Sequence, residues 1–139
     1  MTSALDIANY VISKCAEEGE PVSNLQLQGI LYIVQKTFLN IGMRAFEDDF
    51  EAWQIGPVIM DVYNRYCGFG ALKIRLSFPD ILPSEEFRVI ADPVIAAERR
   101  KMPWELAAKV QDAAWSDTYN GGKGSHAVIP KNIIRNGHE

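Results

Sequence analysis

The run Ser23-Asn24-Leu25-Gln26-Leu27-Gln28-Gly29-Ile30-Leu31-Tyr32-Ile33-Val34-Gln35-Lys36-Thr37-Phe38-Leu39-Asn40-Ile41-Gly42 carries the strongest helical signal in the chain. Ser23 and Gln26 fit the capping-box pattern, in which each side chain bonds the other residue's backbone amide. Leu27, Ile30, Leu31, Val34, Phe38 and Ile41 recur at helical spacing along one face. Tyr32 and Ile33 widen that stripe, so apolar residues cover more than half the circumference. A helix of this kind belongs at the centre of a domain, and Gly42 is its natural terminator.

Upstream, residues 3–18 read as an amphipathic helix with Ser3 as N-cap and Asp6 in its first turn. Ala4, Ala8, Val11, Ile12 and Cys15 share one face, and Gly19 and Pro21 end the helix. Downstream, Phe50, Ala52 and Gln54 alternate with Glu51, Trp53 and Ile55 in a short extended segment punctuated by Gly56-Pro57. Pro57 suits the first turn of a third helix with Ile59, Val62, Tyr63 and Tyr66 as its buried stripe. Gly68 and Gly70 close that helix.

Lys73 to Phe78 alternates like a half-buried strand, and Phe87 to Ile90 is its expected pairing partner. Pro93 is placed to start a short helix ending in Arg99-Arg100-Lys101, a solvated cationic end. Pro103 starts another, with Leu106, Ala107, Val110, Ala113 and Ala114 on one face. Residues 119–124 form a turn-rich loop, and Pro130 begins a last helical turn through Ile133 and Ile134. The expectation is a single domain over 1–139. It is mainly α, a compact helical domain around a central apolar helix with a small antiparallel β-hairpin or sheet.

Of 139 residues, 47% are hydrophobic and 23% charged, ordinary globular usage with ample material for a core. No apolar run approaches the ~20 residues of a membrane span, and no leader pattern opens the chain. A cytoplasmic protein with no membrane role is expected. Cys15 and Cys67 form no CxxC pair and read as reduced, buried thiols. The net charge of −4 disfavours nucleic acid as a partner. Residues 1–70 carry −5 and residues 71–139 carry +1, an asymmetry suited to a polar protein partner.

Catalytic and metal signatures are missing. His126 and His138 are the only histidines, too few for a metal set or a convincing triad. Lys123 is followed by Gly124, so the glycine loop is not a P-loop. Glu47-Asp48-Asp49 with Glu51 reads as a solvated acidic turn. The chain is therefore expected to be no enzyme and to hold no cofactor or metal. Trp53, Trp104, Trp115 and Tyr119 have core packing as their default role. The glycine loop beside Trp115 and Tyr119 favours a surface role for those two.

Three segments together resemble the Panacea (SocA-like) antitoxin domain family, which includes phage-associated GepA-like proteins. The first is Leu5-Asp6-Ile7-Ala8-Asn9-Tyr10 with Gly19-Glu20-Pro21-Val22 and the helix start from Ser23 to Tyr32. The second is Glu51-Ala52-Trp53-Gln54-Ile55-Gly56-Pro57-Val58 leading into Val62-Tyr63. The third is Trp115-Ser116-Asp117-Thr118-Tyr119-Asn120 with Gly122-Lys123-Gly124 and Ile129-Pro130. The family's helix-capping serine is replaced by Met102, and its Thr-His pair by Lys109-Val110. The resemblance implies a non-enzymatic antitoxin that neutralises a toxin encoded nearby, in bacteria or phage. Trp53, Gly56, Pro57, Trp115, Tyr119, Gly122, Lys123 and Gly124 are the candidate partner-binding residues. Homo-oligomerisation stays open, as does the alternative of a winged-helix-like DNA-binding transcriptional regulator.

Overall fold

The computed structural model describes residues 2–136, mainly helical with a small antiparallel sheet. His138 lies outside the described residues. Helix α1 (Ala4–Glu17) is capped by the Ser3 hydroxyl, which accepts the Asp6 N–H at 3.2 Å. Helix α2 (Asn24–Asn40) has both halves of the capping box: Ser23 Oγ accepts from the Gln26 amide and Gln26 Oε1 from the Ser23 amide. Leu27, Ile30, Leu31, Tyr32 and Val34 have no solvent exposure, and α1, α4, α5 and α7 all pack on this helix. Ile41 is a correction. It is the C-cap of α2 and exposed, so the buried stripe ends at Leu39.

Strands β1 (Glu51–Trp53), β2 (Gly56–Val58) and β3 (Ala127–Val128) form an antiparallel sheet in the order β2-β1-β3. Pro57 lies in β2 opposite Ala52 rather than in a helix. An edge strand tolerates its missing amide. Helix α3 (Met60–Tyr66) therefore starts three residues later than expected, burying Val62 and Tyr66 and leaving Tyr63 half-buried.

The expected pairing of 73–78 with 87–90 does not form. Residues 73–78 are irregular, held by one bridge in which the Ile74 amide donates to the Val22 carbonyl at 2.8 Å. Residues 87–90 belong to helix α4 (Glu85–Glu98), capped by the Ser84 hydroxyl, with Glu85 and Glu86 in its first turn. Pro93 is inside α4, not at its start. It deprives the Val89 carbonyl of its helical partner. Both residues lie on the exposed face, where water can supply the missing bond.

Helices α5 (Pro103–Val110) and α6 (Ala113–Tyr119) are separate, broken at Gln111 and Asp112, and α7 (Lys131–Asn136) closes the fold. Close packing of α5 on α2 requires a glycine. A Cβ at Gly29 would stand 2.6 Å from Leu106 Cγ.

The stretch around Arg99 is not a solvated end. Arg99 is buried and bonds Glu18 at 2.7 Å and Glu20 at 3.0 Å, while buried Glu98 bonds Lys109 at 2.7 Å. These pairs tie the end of α1 to the ends of α4 and α5. Cys15 is buried and its thiol pKa is pushed up by that burial; Cys67, expected to be buried, is exposed.

Leu31→Ala or Val34→Ala should lower stability by about 2–4 kcal/mol through an open cavity, read in denaturant melts. Gly29→Ala should cost about 1–3 kcal/mol by overpacking against Leu106. Losses near zero would remove α2 from the centre of the core.

Candidate protein-interaction face

The face is anchored by Asp112. Its carboxylate accepts bonds from the Tyr32 hydroxyl at 2.9 and 3.0 Å and from Lys36 Nζ at 2.8 Å. Burial, and then the neighbouring Asp112 charge, push the Tyr32 hydroxyl well above its ordinary pKa, so it remains a donor. Asp112 also caps α6, accepting the Trp115 amide at 3.0 Å. One carboxylate thereby fixes α6 to the central helix.

Trp115 and Tyr119, one turn apart on α6, stack with ring centroids 5.0 Å apart. The Trp115 indole N–H donates to the Trp53 carbonyl at 2.7 Å, joining α6 to β1. The Trp53 ring is stacked with His126 at 4.4 Å and lies 4.9 Å from Tyr63, while its indole N–H bonds Glu51 at 2.9 Å. His126 is exposed and adopts a φ of +67°, held by its amide bond to the Ala52 carbonyl at 2.7 Å. The result is a ledge of half-buried rings whose polar atoms are directed by the backbone. Such rings offer large contact area at low entropic cost.

The loop from Asn120 to Gly124 is compact rather than open. Asn120, Gly121 and Gly122 take positive φ of 49°, 62° and 102°. A Cβ at Gly124 would stand 1.9 Å from the Thr118 carbonyl oxygen. Its amide, and those of Lys123, Ser125 and Ala127, donate to carbonyls within the loop. These four amides are consumed internally, and the glycines allow the tight closure. Lys123 projects into solvent without an ion-pair partner among the described residues.

The predicted residues divide by exposure. Trp53, Trp115, Tyr119, Gly122 and Gly124 are half-buried, and Lys123 is exposed. Gly56 and Pro57 are buried; a Cβ at Gly56 would meet Val110 at 3.6 Å. They shape the β1–β2 turn, which the Gln111 amide secures by donating to the Ile55 carbonyl at 3.2 Å. Past Tyr63 the ledge opens into an apolar groove of about 270 Å³ lined by Leu25, Ile55, Cys67 and Ala71.

Tyr63, His126 and Asp112 complete the arrangement, and sequence reasoning did not select them for it. Asp112 left a local signal, standing three residues before Trp115 as an N-cap does, and Tyr63 left one as part of the segment that follows Glu51–Val58 in the family resemblance. Trp104, whose default reading was core, is 66% exposed on α5. The acidic turn is not simply solvated: Asp48 accepts the Ala4 amide at 2.9 Å, and Asp49 pairs with Lys131 at 2.6 Å. Among the described residues no group of three or more His, Cys, Asp or Glu could hold a metal. None of their helices is long and apolar enough to cross a membrane.

A mainly α domain with a three-stranded antiparallel sheet, carrying an aromatic ledge, is thus the class that the geometry defines. The chain is 38% identical over 65 residues to Antitoxin SocA of Caulobacter vibrioides (strain NA1000 / CB15N). That stretch covers 46% of this chain and 35% of the relative, so the match spans about a third of the curated protein's length. No family model matches the chain, and no solved structure matches it.

Asp112→Ala should cost about 2–4 kcal/mol, combining a lost N-cap with a buried hydroxyl deprived of its acceptor. Gly124→Ala should displace the 119–124 loop and weaken the Trp115–Tyr119 stack. The measurements are thermal melts and near-ultraviolet circular dichroism, where an unchanged aromatic signal would contradict this account of the loop.

Proposed function

We propose that this chain is an antitoxin-type protein-binding module of the Panacea (SocA-like) kind, neutralising a toxin encoded beside it in a bacterium or phage. The observation that carries this reading is the 38% identity over 65 residues to Antitoxin SocA. The aromatic ledge supports it, since a face built from Trp53, Tyr63, Trp115 and Tyr119 suits protein recognition rather than turnover. The module acts by occupying its partner and performs no catalysis of its own.

The toxin docks across the ledge and into the groove beyond Tyr63. Tyr119 and Ile55 supply apolar contact and Lys123 supplies orientation, while Gly56, Pro57, Gly122 and Gly124 hold the turns that present them. The negative charge of the first 70 residues favours approach of a basic partner.

The test is capture of the neighbouring gene product by purified chain, followed by the same capture with Tyr119→Ala, Ile55→Glu and Lys123→Glu. Ile55 is 41% exposed and Lys123 exposed, so those two substitutions leave the core intact. At least one should weaken binding about tenfold or more, as removal of an interface anchor does. Undiminished binding by all three folded variants would move the interface elsewhere. Failure of the neighbouring product to bind the wild-type chain, or to be neutralised by it, would reject the antitoxin reading.

A further inference from the structure

We infer that the cleft between the end of α2 and helix α7 is a second binding site, for an acidic segment of a protein partner. This inference is independent of the antitoxin reading. The cleft, about 410 Å³, is lined by Arg44, Lys131, Asn132 and Arg135 over a floor that includes Leu39 and Met43. Lys131 and Arg135 are one turn apart on α7, which puts both on one helix face. Arg44 arrives from the loop after α2, eighty-seven residues earlier in the chain. Three cations brought together from two distant segments are a product of the fold, not of a local charge run.

Their present partners indicate what they accept. Lys131 Nζ bonds Asp49 at 2.6 Å, and Arg44 bonds Glu47 at 2.6 Å. The Arg44–Glu47 pair is roughly half exposed on both sides, and exposed pairs contribute only about 0–1 kcal/mol. Arg44 can therefore exchange one carboxylate for another at little cost. Arg135 is exposed and has no carboxylate partner among the described residues. Two guanidinium groups, able to take carboxylates through paired hydrogen bonds, thus face one cleft.

The end of α2 opposes an anion less than a bare helix terminus would. The Phe38 carbonyl accepts the Ile41 and Met43 amides, and the Leu39 carbonyl accepts that of Gly42. Two of the helix's last carbonyls are thus already bonded within the turn. Met43, which lines the cleft, is 43% exposed and offers apolar contact. A fitting ligand therefore carries separated carboxylates with an apolar residue between them.

A protein segment fits better than nucleic acid. Asp49 and Glu47 stand beside the cations and would repel a continuous phosphate chain, whereas isolated carboxylates can pass between them. The whole chain's charge of −4 acts in the same direction. The site lies at the opposite end of α2 from the apolar groove beside Leu25. Leu25 and Leu39 are fourteen residues apart, about 21 Å along the axis at 1.5 Å per residue.

The experiment is an amide-resolved nuclear magnetic resonance titration of the full chain at low salt, with a blocked Glu-Leu-Glu peptide and hexathymidylate as probes. The Glu-Leu-Glu peptide should give saturable shifts at Gly42, Met43 and Asn132 while leaving the Trp53 and Trp115 amides in place. Arg135→Gln, which breaks no ion pair among the described residues, should weaken that binding about tenfold through loss of a charge-assisted bond. Arg44→Gln provides an independent second variant and should weaken it similarly. The proposal is overturned by absence of saturable shifts at the three amides. Unchanged binding by both folded variants would also overturn it, as would hexathymidylate matching the peptide at the same positions.

Discussion

A helix buried on nearly every side must find partners for its own polar side chains, and α2 does this by holding the loops around it. Gln35 clamps the segment after the helix, donating to the Phe46 carbonyl and accepting the Ala45 amide, both at 2.8 Å. Gln28 accepts the Ile59 amide at 2.9 Å and fixes the entry to α3. Gln26 completes its own cap and also reaches the Lys101 carbonyl at 3.3 Å, before α5 begins. Tyr32 reaches Asp112. Leaving any of these groups unpaired in the interior costs about 1–3 kcal/mol, so each bond restricts the placement of the loop it meets.

The ledge inherits its geometry from this constraint. Asp112 is oriented by Tyr32 and Lys36, Asp112 starts α6, and α6 sets Trp115 against the Trp53 carbonyl. The path from core to surface thus runs through hydrogen bonds of defined direction rather than through apolar contact, which is tolerant of rotation. His126 and Tyr63 enter from the turn before β3 and from α3, 63 residues apart, meeting at Trp53. A binding face on such supports is preorganised, which reduces the ordering cost of capturing a partner.

Charge is distributed by similar logic. The excess of acid in the first half is partly neutralised across the molecule, with Glu18 and Glu20 on Arg99 and Asp49 on Lys131. The Glu18 carboxyl is held below its ordinary pKa by its bonds to Lys14 and Arg99, and that of Glu20 chiefly by its bond to Arg100. Charges near one another in sequence therefore carry different duties. Arg99 braces two helices, whereas its neighbour Arg100 is exposed.

Local information was sufficient for α1 and α2, because capping residues and helical periodicity act within a few residues of one another, whereas Gly56-Pro57, read as punctuation before a helix, lies in strand β2. It also singled out the Trp53 and Trp115 segments, and the structure brings those two together. Other features were illegible for a physical reason. Alternation in Lys73–Phe78 suggests a strand, yet a strand requires a partner edge, and Phe87–Ile90 went instead to a helix capped by Ser84. Pro93 reads as a helix start, yet an exposed position on α4 lets water replace the bond it removes. Pairing of β3 with β1, stacking of His126 on Trp53 and convergence of Arg44 with Arg135 depend on contacts across 73 to 91 residues. Periodicity and capping carry no information over such separations; only packing around α2 brings those residues together.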